Sequence, residues 1–351
     1  MYPKQENSFI ARPSDLILVT GATGFIGRRV VKALLDLGFS NLRCLARPSS
    51  NRVALDEVLH SHASGAQVEV MTGNLLSTRD CASATKDAKL VFHLAAGRGA
   101  KSFPDAYLNS VVTTRNLLDA CIDHAELLRF VNTSSFAVYS NHRNPRRGVI
   151  DESSPVEEHP ELRGNAYCFA KAEQDKLVVD YSRRFGIPYI LIRPGYVCGP
   201  GNPGIHSRVG IDTFGIFLHL GGGNKIPVTY VDNCAEAIAL AGLADGVDGE
   251  VFNVVDDDLP SSRKFLRLYK HQVKAFHSIY VPHAVSYLLC SMWEWYSKWS
   301  QGQLPPAYNR KAWRASWKKT KYSNVKLKTR AGWRPSVPMS EALRRHFEGS
   351  R

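Results

Sequence analysis

Apolar and polar positions change period repeatedly along this chain. Residues 16–20 (Leu-Ile-Leu-Val-Thr) form a short apolar, β-branched run, glycines follow at once, and then Phe25, Val30, Val31, Leu34 and Leu35 recur at helical spacing. The spacing predicts strand, turn, helix. Further strands are expected over 42–46, 68–72, 90–94, 129–134, 189–192 and 250–254, and helices near 53–60, 106–124, 164–185 and 234–244. Short apolar strands alternating with helices in this way specify an α/β protein with a doubly wound parallel sheet. Two stretches break the alternation: residues 199–225, rich in glycine, and everything after Asp256, rich in aromatics and lysines. The expected organisation is a core of residues 14–198 plus 232–256 and a smaller, mostly helical substrate lobe of residues 199–231 plus 257–351. No internal repeat or low-complexity tract competes with it.

At 351 residues the chain can bury one large core and an appendage. Hydrophobic residues at 44% and charged residues at 22% match a globular protein rather than a disordered one. The seven cysteines (Cys44, Cys81, Cys121, Cys168, Cys198, Cys234, Cys290) form no Cys-x-x-Cys pair and no Cys/His cluster, so neither a disulfide framework nor a metal site is expected. Residues 1–15 hold no apolar stretch of signal-peptide length. No run approaches the roughly 20 apolar residues of a spanning helix, the most apolar being 284–293. A cytoplasmic location is expected. The formal net charge is +13, and much of the excess falls late, between Lys298 and Arg330. A solvated basic face, attraction to anionic lipid or an anionic substrate, and nucleic acid compete to explain it. No nucleic-acid module accompanies the charge, so no such partner is expected. Peripheral contact of the basic aromatic C-terminal region with an anionic membrane, and a homodimer, stay open.

Gly21, Gly24 and Gly27 in Thr-Gly-Ala-Thr-Gly-Phe-Ile-Gly follow a strand and open a helix, the context a dinucleotide fingerprint requires. Gly21 permits a tight turn, Gly24 lets backbone approach a pyrophosphate, and Gly27 lets the helix pack on the sheet. Thr23, Phe25 and Ile26 belong to the same turn. Tyr167 and Lys171 stand four residues apart, so on a helix their phenol and ammonium reach one spot. Free tyrosine ionises near pH 10, too high for a base at neutral pH, and an adjacent cation stabilises the phenolate. Tyr322 and Lys326 repeat the spacing in the basic tail, with no serine-bearing strand ahead of them.

The glycine spacing, His93-Leu94-Ala95-Ala96, Val131-Asn132-Thr133-Ser134-Ser135 with Val138-Tyr139, Tyr167-x-x-x-Lys171, Arg193-Pro194-Gly195 and Tyr230-Val231-Asp232-Asn233 occur in one order. In that order they resemble the extended short-chain dehydrogenase/reductase (NAD-dependent epimerase/dehydratase) family over residues 16–245. The resemblance implies a Rossmann-type core, with Tyr167 as acid-base, Lys171 as its cation and ribose contact, and Ser135 hydrogen-bonded to the reacting oxygen. Ser134 is the nearest rival for that last role. It also implies Asn109 supporting the lysine through water. Leu94, Ala95, Ala96, Pro194, Asn74 and Leu75 would join the glycine turn, Tyr167 and Lys171 around the cofactor. At the end of the second strand an acidic residue would bind a ribose 2′-hydroxyl. Ala46 and Arg47 stand there instead, and Arg47 suits a 2′-phosphate, so NADP is expected before NAD.

Departures from the family pattern narrow the chemistry. Phe136 and Ala137 occupy the places where sugar dehydratases carry Asp-Glu, which leaves a dehydrogenase, reductase or epimerase. The diphosphate clamps of nucleotide-sugar relatives are missing after Arg193 and before Tyr230, where Lys225 is the nearest substitute. The tail, with its aromatic helix (Tyr287, Leu288, Leu289, Trp293, Trp295, Tyr296, Trp299), Pro305-Pro306 and Gly332-Trp333-Arg334-Pro335, resembles the 3β-hydroxysteroid dehydrogenase branch. The expected function is an NAD(P)-dependent oxidoreductase interconverting a secondary alcohol and a ketone on an apolar, steroid-like or lipid-linked small molecule. A sugar epimerase and a non-catalytic nicotinamide sensor are the alternatives.

Overall fold

The computed structural model describes residues 9–62, 65–97, 102–122, 126–141, 148–213, 215–301, 303 and 308–350. The first half runs β1 (Ile17–Thr20), α1 (Gly27–Asp36), β2 (Asn41–Ala46), α2 (Val53–His62), β3 (Gln67–Thr72), α3 (Thr78–Thr85), β4 (Leu90–His93), α4 (Phe103–Ala106), a π-helical segment Tyr107–Val112, α5 (Thr113–Asp119), β5 (Arg129–Thr133) and β6 (Val149–Ile150). The second half continues α6 (Ala166–Phe185), β7 (Tyr189–Pro194), β8 (Tyr196–Cys198), β9 (Gly210–Thr213), β10 (Ile216–His219), β11 (Val228–Tyr230), α7 (Val231–Leu243) and β12 (Val251–Val254). It ends with α8 (Ser262–Gln272), β13 (Ser278–Tyr280), α9 (His283–Trp299), α10 (Arg310–Trp317), β14 (Lys321–Tyr322), α11 (Val325–Ala331) and α12 (Met339–Glu348).

Seven strands form one sheet in the order β12-β7-β5-β4-β1-β2-β3, and every pairing in it is parallel. The doubly wound sheet expected from the sequence is therefore present. Its strands β1, β4 and β5 are buried at every position because both faces are covered: Ile17 and Val19 point into one buried cluster and Leu18 into the other. The chain reverses direction across the sheet between β1 and β4, and a crevice opens at the carboxyl ends of strands at such a switch. The glycine turn after β1 and residues 94–97 after β4 both lie there.

The elements differ from expectation in places with identifiable causes. The helix expected over 106–124 begins at Phe103, because Ser102 caps it and Pro104 occupies the first turn. It then carries the π-helical segment and ends at Asp119, while positions 123–125 lie outside the described residues. The helix expected from 164 starts at Ala166, with Asn165 Oδ1 accepting the Cys168 N–H at 2.9 Å and Gly164 in the left-handed region. Helix α3, which the apolar pattern did not reveal, is capped by Ser77. In the remainder, β13-β10-β9 make a small sheet, and Phe217, Ile226, Phe265, Leu343 and Phe347 share one apolar cluster. Trp333, fully buried, packs with Leu327 and Ala331 against the main core.

Helix α6 is held to the sheet by charge as well as by apolar contact. Arg193 of β7 donates to Asp175 Oδ2 through Nε (3.2 Å) and Nη2 (3.1 Å), and Asn132 of β5 donates to Oδ1 at 3.4 Å. Both charged side chains are 5% exposed. Burial pushes the Asp175 carboxyl up, against the pull of Arg193. Removing one partner of such a pair strands the other charge. Asp175→Ala is expected to cost about 3–5 kcal/mol of unfolding free energy in urea titrations. Breaking the exposed Lys32–Asp36 pair by Asp36→Ala should cost no more than about 1 kcal/mol.

Candidate active site

Two positions of the turn after β1 admit no side chain. Gly21 sits at φ +69°, and a Cβ there would stand 2.8 Å from the Ala95 nitrogen; a Cβ on Gly27 would run into the Gly21 carbonyl oxygen. The Gly24 N–H donates to that oxygen at 2.9 Å. Helix α1 then begins with neither a side-chain cap nor an acidic residue in its first turn, so no side chain of the helix itself offsets its positive dipole end. A cradle that a Cβ would fill, ending at such a helix terminus, fits a dinucleotide pyrophosphate.

Other residues expected at the cofactor are distributed unevenly around this turn. Leu94 donates its N–H to the Thr20 carbonyl (3.2 Å), and Leu94, Ala95 and Ala96 are half-buried beside Gly21. Thr23, Phe25 and Ile26 are half-buried in the turn itself, and the Arg29 guanidinium covers the Phe25 ring at 4.9 Å. Arg47 is exposed at the end of β2 and no carboxylate pairs with it among the described residues. Asn74 is exposed, with Oδ1 accepting the Leu76 N–H at 3.0 Å, whereas the Leu75 side chain lies in the core. Pro194 is buried at the end of β7.

The lysine four residues after Tyr167 is the most constrained group in the site. Lys171 is 4% exposed, and its Nζ donates to the Thr133 carbonyl at 2.6 Å and to Gln174 Oε1 at 2.9 Å. Two of three N–H donors are thereby used, and the third is uncommitted among the described residues. Because Thr133 lies two residues before Ser135, the first of these bonds sets the Tyr167 end of α6 against the carboxyl end of β5. Tyr167 itself, in the first turn of α6, is 37% exposed. Ser135 Oγ accepts the Ala137 N–H at 3.1 Å, leaving its own hydrogen free to donate. Its rival Ser134 is buried at 3% exposure, while Ser135 is half-buried. The accessible hydroxyl is the one the motif indicated.

Behind the lysine runs a hydrogen-bonded chain that motif spacing did not indicate. Gln174 Nε2 donates to Thr114 Oγ1 at 2.6 Å, and Thr114 donates in turn to the Ser110 carbonyl at 2.6 Å. With its own hydrogen used, Thr114 Oγ1 must also accept from His93 Nε2, 2.9 Å away. That fixes the ring proton on Nε2 and leaves Nδ1 to accept from Thr20 Oγ1 at 2.7 Å. Burial, reinforced by the charge of Lys171, pushes His93 down to about 3, so the imidazole stays neutral. Burial likewise lowers Lys171 to about 8, with Asp175 opposing. Asn109 takes no part in this chain: its Nδ2 donates to the Asp105 carbonyl (3.0 Å) and to Asp105 Oδ1 (2.9 Å).

Comparison with known proteins gives the arrangement its context. The model of the NAD dependent epimerase/dehydratase family matches residues 17–254. The chain is 26% identical to 3β-hydroxysteroid-dehydrogenase/decarboxylase isoform 2 of Arabidopsis thaliana, over 94% of its own length and 61% of that protein's. It is 30% identical to D-erythronate dehydrogenase of Cupriavidus necator, over 51% of this chain and 56% of that one. It thus spans about six-tenths of the length of these curated relatives. Among solved structures, UDP-glucuronic acid 4-epimerase from Bacillus cereus, in complex with UDP-glucuronic acid and NAD, superposes with a TM-score of 0.70 at 21% identity. The match covers 95% of this chain and 98% of that one.

The Gln174 contact makes a measurable prediction. Its carbonyl favours the charged lysine, so Gln174→Leu should lower the Lys171 ionisation further and Gln174→Glu should raise it. A hydrogen bond to a charged group is worth about 1.5–3 kcal/mol, which is roughly one to two pH units in each direction. An NMR titration of the lysine Nζ resonances reads the shift, and no shift in either variant would refute the contact.

Proposed function

The chain belongs to the NAD dependent epimerase/dehydratase family, and on that premise we propose that it is a nicotinamide-dependent oxidoreductase that interconverts a secondary alcohol and a ketone on an apolar, steroid-like substrate. The observation that carries this reading is the bond from Lys171 Nζ to the Thr133 carbonyl, which brings the Tyr167–Lys171 face of α6 to the Ser135 end of β5. The turn at Gly21, Gly24 and Gly27, with residues 94–96, would hold the dinucleotide. When bound, a nicotinamide supplies the acceptor or donor of hydride. Tyr167 removes the proton from the substrate hydroxyl in oxidation and returns it to the carbonyl oxygen in reduction. Ser135 donates its hydrogen bond to that oxygen throughout. Lys171, with one N–H uncommitted, stabilises the tyrosinate and would reach the ribose. Gln174 and Thr133 hold the ammonium in place.

Two features favour an apolar substrate over a nucleotide sugar. Lys225, the nearest substitute for a diphosphate clamp, donates from its ammonium to the Leu259 carbonyl at 2.6 Å. The resemblance to the sterol-dehydrogenase relative runs through the C-terminal third as well as the core, since it covers 94% of the chain. The substrate lobe is assigned to residues 199–231 plus 257–351.

Tyr167→Phe removes the proton-transfer oxygen and almost no volume. Turnover of hydroxysteroids should fall by about 10²–10⁴-fold, while nucleotide binding, followed by quenching of protein fluorescence, persists. Substantial residual activity would refute the acid-base role.

The exposed, unpaired Arg47 supports NADP as the cofactor. Arg47→Asp should weaken NADP by roughly ten- to hundred-fold, the worth of one charge-assisted hydrogen bond, and leave NAD nearly unchanged. Parallel titrations at one ionic strength decide it. A wild-type preference for NAD would overturn the assignment.

A further inference from the structure

Helix α9 is amphipathic the wrong way round. Its buried face is formed by Ser286, Cys290 and Ser297. Ser286 earns its burial by accepting the Trp313 indole N–H at 2.9 Å. Six large apolar side chains point outward: Val285, Leu288, Leu289, Met292, Trp295 and Trp299 are all at least 47% exposed, and the two tryptophans reach 67% and 69%. Their steps of three and four residues confine them to about 120° of the helix circumference, along roughly 21 Å of axis. A surface helix normally does the reverse, and an apolar patch of this extent marks a contact with something apolar.

The N-terminal end of the stripe adjoins a basic depression. His219, Arg263, Arg267, Lys270 and His271 line an open cavity of about 480 Å³. Tyr280 and His283, the latter the first residue of α9, both flank Gly222, and the Arg263 guanidinium lies 5.7 Å over the Tyr280 ring. Exposed Ile279 and Tyr280 carry the apolar surface from the helix to this rim. No carboxylate pairs with Arg263, Arg267 or Lys270 among the described residues; Lys270 donates to the Ser278 hydroxyl. The basic tail, by contrast, is largely committed: Arg310 to Glu294, Lys311 to Glu157, Lys326 to Glu250 and Lys328 to Asp257. The uncompensated charge beside the stripe therefore belongs to α8.

We propose that the outer face of α9 and the α8 depression together form a docking surface for an anionic phospholipid leaflet, the stripe lying among the upper acyl chains and the cations receiving headgroup phosphates. Tryptophan at the far end of an in-plane apolar face, with cations at its edge, is the composition of an interfacial helix. A second copy of the chain suits the surface less well, because a two-fold contact through it would set the same unpaired guanidiniums of both copies at one interface. The surface is independent of the hydride-transfer reading.

Co-sedimentation with phosphatidylcholine vesicles, with and without phosphatidylserine, tests the proposal. The full chain should bind the phosphatidylserine vesicles, with a blue shift in tryptophan fluorescence, and bind the neutral ones far less. Arg263→Gln with Arg267→Gln should weaken that binding by about fivefold for each cation, and Leu288→Glu with Leu289→Glu should abolish it. Nucleotide binding should be unchanged in both variants, which reports that they fold. Absence of binding to either vesicle, or equal binding to both that ignores the arginines, would overturn the proposal. A dimer by light scattering that dissociates on the leucine substitutions would also overturn it and give the face to a second copy.

Discussion

One buried carboxylate sets the geometry on which the site depends. Asp175 lies a helical turn beyond Lys171 and receives hydrogen bonds from Arg193 on β7 and Asn132 on β5. It therefore fixes α6 against two neighbouring strands of the sheet, and Ser135 follows directly from one of them. The network goes on to the far edge: the Arg193 guanidinium lies 4.8 Å over the Tyr139 ring, and the Tyr139 hydroxyl donates to Asn253 of β12 at 2.7 Å. A hydrophobic contact would permit α6 to slide or rotate by small amounts. Directional bonds to a charge buried in low dielectric do not. Such an arrangement buys position more than stability, since a buried pair offsets much of its own desolvation.

The same low dielectric acts on Lys171. Its ammonium has been removed from water and given two neutral acceptors, so its charge is held weakly and its ionisation drops to about 8. A cation in that condition interacts strongly with any negative charge that develops beside it, because little solvent screens the pair. The chain through Gln174, Thr114 and His93 links the lysine's second acceptor to the sheet, and it ends at Thr20, the residue before Gly21. The glycine turn and the lysine thus share one hydrogen-bonded framework, although they are 150 positions apart in sequence.

How much of this was legible beforehand follows from what each residue must satisfy locally. The glycine turn was legible because its constraint is local: a positive φ at Gly21 and contact between Gly27 and Gly21 lie within seven residues. Tyr167 and Lys171 were legible because four residues make one helical turn. Gln174 was not, because its reason for being buried is Thr114, sixty positions away. Asn109 shows the converse. Spacing alone placed it behind the lysine, but it lies in a π-helical segment, where the extra residue per turn re-aims every side chain, and its amide donates to Asp105. Motif spacing counts residues and cannot register a change of helical pitch.

Helix α9 exposes a different limit. Its period is plain in the sequence, and Val285, Leu288, Leu289, Met292, Trp295 and Trp299 fall on one face by counting alone. Counting gives a direction around the axis and not its sign: the apolar face goes inward only if something inside receives it. Here the interior position opposite α9 is taken by Trp313, whose indole N–H needs an acceptor and whose ring packs against two residues of α9 itself, His283 and Tyr287. A small polar residue, Ser286, meets that demand, and Cys290 and Ser297, the other buried positions of the helix, are small as well. Leucine or methionine in its place would leave the indole N–H unsatisfied, at a cost of about 1–3 kcal/mol. One buried tryptophan thereby turns the helix, and the side that would ordinarily form core is presented outward.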